Sequence, residues 1–218
     1  MNDEHITISP HSNTKPNRFR TFTVTFFSKP IKTIVTATPA VVRKWLSRVL
    51  YFHRIRSHKL VVGLGVQWNP SSPIDRPPAS TLQLCIGSQC LIFQLMHANA
   101  VPLALRRFLA DPRNTFVGVW NHRDEAMLSC SKYGLKVSRL IDAREVAAER
   151  NGLSRQISME GLAEIILGAG GVEKPKRIGC SDWDNYRLSL EQVQYACVDA
   201  HVSFELGRAL KAWNWEKN

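Results

Sequence analysis

The amino-acid sequence predicts an α/β domain built on a mixed β-sheet flanked by helices, and three observations lead there. Period-two strand patterns come first along the chain and then mix with helical stretches, the order expected of a sheet covered by helices. A length of 218 residues suits one domain with tails. Hydrophobic residues make up 44% of the chain, enough for a sizeable core, and charged residues 22%, an ordinary globular surface.

The elements follow in order. Residues 1–20 are polar, hold Pro10 and Pro16, and read as a disordered N-terminal tail. Thr21-Phe22-Thr23-Val24-Thr25-Phe26 alternates as a half-buried strand does, residues 32–38 repeat the pattern, and Ser28-Lys29-Pro30 reads as the turn between them. After Pro39 a helix over 40–52 places Val41, Trp45, Val49 and Phe52 along one side. A basic connector, His53-Arg54-Ile55-Arg56-Ser57-His58-Lys59, leads into the apolar strand Leu60-Val61-Val62-Gly63-Leu64-Gly65-Val66-Gln67. The stretch 69–79 holds four prolines and is a loop. Strands over 81–86 and 90–95 flank Gly87-Ser88, a hairpin signal. A short helix over 102–109, a strand over 115–120 and a helix over 123–133 closed by Gly134 come next. Leu140-Ile141-Asp142-Ala143-Arg144 is a brief strand or helix entry, residues 159–167 form a helix closed by Gly168, and residues 174–187 form a basic and aromatic loop. Ser189-Leu190-Glu191-Gln192 is a capping box that opens the last helix, reaching about 210. The domain therefore spans 21–212, with a short C-terminal tail over 213–218.

Lys and Arg outnumber Asp and Glu by 29 to 18, and the resulting +11 favours polyanionic partners such as nucleic acid. The five cysteines are odd in number and form no Cys-x-x-Cys pair, which points away from a secreted disulfide scaffold and towards thiols used as small core residues. No apolar run reaches the length of a membrane span and no signal-peptide core is visible, so the expectation is the nucleus, the cytoplasm or both.

Six segments carry the most specific pattern. They are Val61-Val62-Gly63-Leu64, Leu82-Gln83-Leu84-Cys85, Phe116-Val117-Gly118-Val119 with Asp124 following, Asp142-Ala143-Arg144, Ser181-Asp182-Trp183, and Tyr195-Ala196-Cys197-Val198-Asp199-Ala200. In this order and spacing residues 21–212 resemble the 3′–5′ exonuclease domain of the Werner-syndrome-protein type, above all its small plant versions. The resemblance implies a ribonuclease H-like fold of the Asp-Glu-Asp-Asp-Tyr branch, hydrolysis of nucleic acid, and Mg²⁺ or Mn²⁺ as cofactor. In that family the first motif supplies an Asp that bridges two metals and a Glu that helps hold one of them. The matching positions here are Gly65 and Gln67. The second-motif Asp, which serves the other metal, falls on Asp124, while Tyr195 and Asp199 match the Tyr that orients water and the Asp that binds metal. Spaced i, i+4 on a helix, those two side chains share a face.

The loss of the first pair shapes the functional expectation. A two-metal phosphodiesterase holds its ions roughly 3.5–4 Å apart and needs several carboxylates, one of them between the ions. Losing ~5 kcal/mol of transition-state stabilisation slows a reaction about 10³–10⁴-fold. The chain is therefore expected to bind single-stranded or recessed-end nucleic acid with lost or strongly reduced hydrolysis, and to hold metal at Asp124 and Asp199 weakly if at all. Candidate phosphate contacts are Arg54, Arg56 and Lys59 in the connector and Lys174, Lys176 and Arg177 in the later loop. Two alternatives stand beside this reading. One is an active enzyme with a rearranged single-metal site around Asp124, Asp199, Tyr195 and Glu125; the other is a protein-binding scaffold that pairs with an intact exonuclease relative. His122 reads as a solvated turn residue and Trp183 as a packing residue.

Overall fold

The computed structural model describes residues 5–12, 18–54, 60–71, 77–172 and 174–216. Its strands are β1 (Ile6–His11), β2 (Arg20–Phe26), β3 (Lys29–Thr36), β4 (Val61–Gln67), β5 (Thr81–Ile86), β6 (Gln89–Gln94), β7 (Thr115–Gly118) and β8 (Leu140–Asp142). They form one sheet in the order β1-β2-β3-β6-β5-β4-β7-β8. The pairs β3–β6, β4–β7 and β7–β8 are parallel and the others antiparallel, so the mixed α/β sheet is as the sequence predicts. The helices are α1 (Pro39–His53), α2 (Leu103–Ala110), α3 (Asp124–Cys130), α4 (Ala143–Asn151), α5 (Met159–Leu167), the single turn α6 (Lys176–Gly179) and α7 (Leu190–Ala209). Among the described residues no helix is long and apolar enough to cross a membrane.

The contact between β4 and α7 positions everything that follows. Every residue of β4 is buried. A Cβ at Gly63 would stand 1.8 Å from the Ala200 carbonyl oxygen, and one at Gly207 would stand 2.7 Å from Val117 and 2.8 Å from Val61. These two glycines let the helix backbone lie directly on the strands. Because Gly63 meets Ala200 and Phe204 while Gly207 meets Val61, α7 runs antiparallel to β4 and brings its first half to the strand's carboxyl end. The period-two alternation of a strand then aims Gly65 and Gln67, like Gly63, at α7. The capping box that starts α7 is complete: Gln192 N–H donates to Ser189 Oγ at 3.1 Å, and Ser189 N–H donates to Gln192 Oε1 at 2.9 Å.

Several expectations need correction. Within the predicted N-terminal tail, Ile6–His11 is an edge strand paired with β2, while residues 1–4 and 13–17 lie outside the described residues. The predicted tail over 213–218 is packed for as far as it is described. Arg139 donates to the Trp213 and Trp215 carbonyls, and Trp215 Nε1 donates to Glu149 at 2.8 Å. The turn after β2 falls on Phe27 and Ser28, both with positive φ, so Lys29 and Pro30 already belong to β3. The brief strand or helix entry expected over 140–144 is both: Leu140–Asp142 is β8, and Asp142 caps α4, which runs on to Asn151, by accepting from the Arg144 backbone N–H. The third helix ends at Cys130, sooner than its pattern suggested. Cys85 and Cys90 face each other across the hairpin, buried and free, as core thiols.

Candidate functional site

The parallel strands β4 and β7 end side by side, where open α/β sheets place their ligand crevices. At that edge lies a cleft of about 420 Å³. Gly65, Gln67, Asp124, Tyr195 and Asp199, which come from β4, α3 and α7, all line it. The structure thus brings together all five positions that the motifs single out.

Both oxygens of Asp199 are engaged by the chain itself. Gln67 Nε2 donates to Oδ2 at 3.3 Å, and the Lys174 ammonium is ion-paired to Oδ1. The Lys174 side chain is 19% exposed and that of Asp199 13%, so water screens the pair poorly. The same ammonium lies 5.1 Å from the centre of the Tyr195 ring. Burial works to lower the pKa of Lys174, but the charge of Asp199, then of Tyr195, outweighs it and holds the ammonium well above its ordinary value. Burial raises the Tyr195 phenol, with Lys174 acting against that rise.

Asp124 stands apart. Its residue is 9% exposed, and among the described residues its carboxyl has no hydrogen bond or ion pair. Burial, then the charges of Asp199 and Asp142, push its pKa well above the ordinary carboxylate range. At Gly65 the missing side chain leaves little room, because a Cβ there would stand 2.9 Å from Gln83 Oε1. That oxygen is buried without a partner, while the other end of the amide donates to Thr81 Oγ1 at 2.5 Å.

These groups do not suit a pair of divalent ions. No carboxylate stands at 65 or 67, both oxygens of Asp199 are already engaged by an amide and an ammonium, and the burial of Asp124 favours its neutral form. Among the described residues no three His, Cys, Asp or Glu side chains are grouped to hold a metal ion.

The predicted phosphate contacts separate in space. Lys174 is committed to Asp199, so it is not a free contact, whereas Lys176 lines the cleft. Arg177 makes a two-pronged pair with Glu191 outside it. Arg54 lies over the Tyr51 ring at the end of α1, beside the β5–β6 turn, since His53 approaches Gly87 there. That turn is at the opposite end of β5 from Thr81, which pairs with Gln67. Arg56 and Lys59 lie outside the described residues. Glu125 is exposed and does not line the cleft, which removes the extra acid from the rearranged-site alternative.

Arg123 and Trp120, which also line the cleft, escaped the sequence reading. Arg123 is exposed at the rim next to Asp124, and His122 lines the cleft beside it, still exposed as expected. Trp120 has φ 58, a left-handed conformation uncommon for so bulky a residue. Its ring carries the Arg144 guanidinium at 3.4 Å, and Arg144 is itself held by Asp142 at 2.7 Å. Glu160, opening α5, lies near enough for its charge to raise both Lys174 and Tyr195. Trp183 is fully buried and donates to the Gly179 carbonyl at 3.1 Å, a packing role as predicted.

A family model described as 3′–5′ exonuclease matches residues 52–212. A 3′–5′ exonuclease of Arabidopsis thaliana is 30% identical over 198 residues, a match that takes in 89% of this chain and 68% of that protein. The bifunctional 3′–5′ exonuclease/ATP-dependent helicase WRN of Mus musculus is 29% identical over 144 residues, 65% of this chain but 10% of that protein. Among solved structures, Escherichia coli RNase D superposes with a TM-score of 0.65 at 18% identity, over 82% of this chain and 44% of that one. The Aedes aegypti Nibbler EXO domain gives 0.66 at 18% identity, over 82% and 87%. At such identities these two likenesses bear on the fold alone, and the ribonuclease H-like fold of these exonucleases is the one described above.

Proposed function

Because the chain belongs to the 3′–5′ exonuclease family, we infer that it binds the end of a nucleic-acid strand in its cleft while two-metal hydrolysis is lost or nearly lost. One observation carries this reading: Gly65 and Gln67 face the cleft where metal chemistry needs carboxylates. A hydrogen atom and a neutral amide supply neither charge nor a bridging ligand. What the chain keeps is a cleft of a size that small ligands use, about 300–1,000 Å³ in general. Lys176 and Arg123 line it as cations for phosphate, and Trp120 and Trp68 line it with aromatic side chains of the kind on which bases stack.

The test pairs binding with cleavage. End-labelled single-stranded and recessed-end oligonucleotides, of DNA and of RNA, are incubated with the protein in chelator and in rising Mg²⁺ or Mn²⁺. The expected result is binding that weakens as salt rises, with no shortening of the strand. Metal-dependent shortening that disappears in Asp199→Ala would establish an active enzyme with a rearranged site. Absence of salt-dependent binding would leave the protein-scaffold reading.

A further inference from the structure

Among the cations that line the cleft, Lys174 is accounted for neither by the family motifs nor by the proposed binding of a strand end. We infer that its ammonium is a tethered cation in the metal's place, which closes the Asp199 position to divalent ions and makes strand-end binding independent of metal. The second clause rests on the nucleic-acid reading above; the first does not.

Three departures from the family pattern fit one another on this view. The space beside Gly65 is taken by the end of the Gln83 side chain, whose Oε1 lies 2.9 Å from where a Cβ would stand. At position 67 an amide donates to Asp199 Oδ2, where a glutamate would repel it. The ammonium takes the other oxygen and also faces the Tyr195 ring, so the two family residues of α7 are held by one cation from the same chain. Charge agrees. Arg123, Lys174 and Lys176 line the cleft against Asp124 and Asp199, three basic side chains to two acidic ones. Carboxylates at 65 and 67 would make it three to four, a cleft that needs metal before it accepts phosphate. The local chain supports the placement, for Pro175 follows Lys174 and starts α6, with the Ile178 N–H donating to its carbonyl at 2.9 Å.

The experiment reads Mn²⁺ binding directly, by the electron paramagnetic resonance of the free ion. It compares the native protein, Gly65→Asp with Gln67→Glu, and that pair with Lys174→Met added, each shown by thermal melting to be folded in chelator. The triple variant is expected to bind Mn²⁺ at least about tenfold more tightly than the double one, since metal no longer displaces an ammonium. Equal affinities overturn the inference. Should the added carboxylates prevent folding, Lys174→Met alone decides: Mn²⁺ raises its melting temperature but not that of the native protein or of Lys174→Arg. If Mn²⁺ leaves Lys174→Met unmoved as well, the inference fails. Oligonucleotide binding by the native protein is expected to be the same in chelator and in Mg²⁺, and a loss of about tenfold or more in chelator would overturn metal independence. A native protein that binds no oligonucleotide under either condition sinks the nucleic-acid reading, while the Mn²⁺ comparison still judges Lys174.

Discussion

The Asp124 carboxyl sits in the first turn of α3, largely buried in the cleft wall and without a hydrogen-bonding partner among the described residues. The helix N-terminus favours a negative charge there by roughly 0.3–1 kcal/mol, but burial and the neighbouring Asp199 and Asp142 act the other way and prevail. Its folded-state pKa therefore lies above the unfolded one, and between the two values the native state holds more protons. Stability falls as pH rises through that window, and at neutral pH the penalty is present. Asp124→Asn is accordingly expected to stabilise the protein near pH 7 by on the order of 1 kcal/mol, or about 2–4 °C, and to have no effect once both states are protonated, below about pH 4. Melting curves of the two proteins across that range check this, and an equal gain at every pH would show that charge is not the cause. Lys174 does not confuse the experiment. Its pKa is raised, so it stays charged throughout that range and loses its proton only in strong alkali.

Two glycines of β4 point the same way along the strand yet carry different constraints, and that contrast belongs to the element. At Gly63 a methyl group meets the backbone of α7, which cannot retreat without lifting the helix from the sheet. At Gly65 it meets only the end of the Gln83 side chain, which can turn aside. Gly63→Ala is expected to cost at least about 3 kcal/mol, some 6–12 °C, and Gly65→Ala about 1 kcal/mol or less, by thermal melting. Similar losses at both would mean that α7 is not seated on β4 as described. β2 was legible in the sequence because it buries alternate residues, β4 because it is a continuous apolar run, and α7 because a capping box opens it. The edge strand Ile6–His11 was not, since it is largely exposed and contains Pro10. Nor was the extent of α4, whose polar sequence shows little apolar stripe. At the cleft the five motif positions were legible because they recur in order along the chain. The partner of Lys174 was not, for a lysine in a basic loop looks solvent-facing until the fold brings it to Asp199, 25 residues away. Tertiary proximity also separated Arg54 from the cleft, although the sequence groups it with the other cations.

The molecule as a whole carries +11, and a uniformly basic surface would bind polyanions anywhere. On the reading proposed above, that attraction is seated at the cleft, which Arg123 and Lys176 line. Charge reversal at Arg123 and Lys176 is expected to weaken oligonucleotide binding and to reduce the steepness of its salt dependence by about two units, one per lost phosphate contact. Arg54→Glu, at the far end of the sheet, should change it little. If Arg54→Glu weakens binding as much as the cleft variants do, association is diffuse rather than seated in the cleft. Millimolar Mg²⁺ or Mn²⁺ should leave the melting temperature of the native protein unchanged, because a ligand near or below its Kd adds almost nothing to stability. A saturable rise of several degrees would contradict that.

The chain has six tryptophans, of which Trp45, Trp183 and Trp215 are buried, while Trp120 is 41% exposed with its ring in the cleft under the Arg144 guanidinium. That arrangement makes the cleft optically self-reporting. Light emitted by the indole of Trp120 samples water on its open side, so a collisional quencher such as iodide should reach it and miss the buried rings. A strand end that enters the cleft should shut the quencher out, and Trp120→Phe should remove most of that protected signal and leave the remainder to the half-buried Trp68. Occupancy of this protein can therefore be followed by its own emission, with no label on either partner.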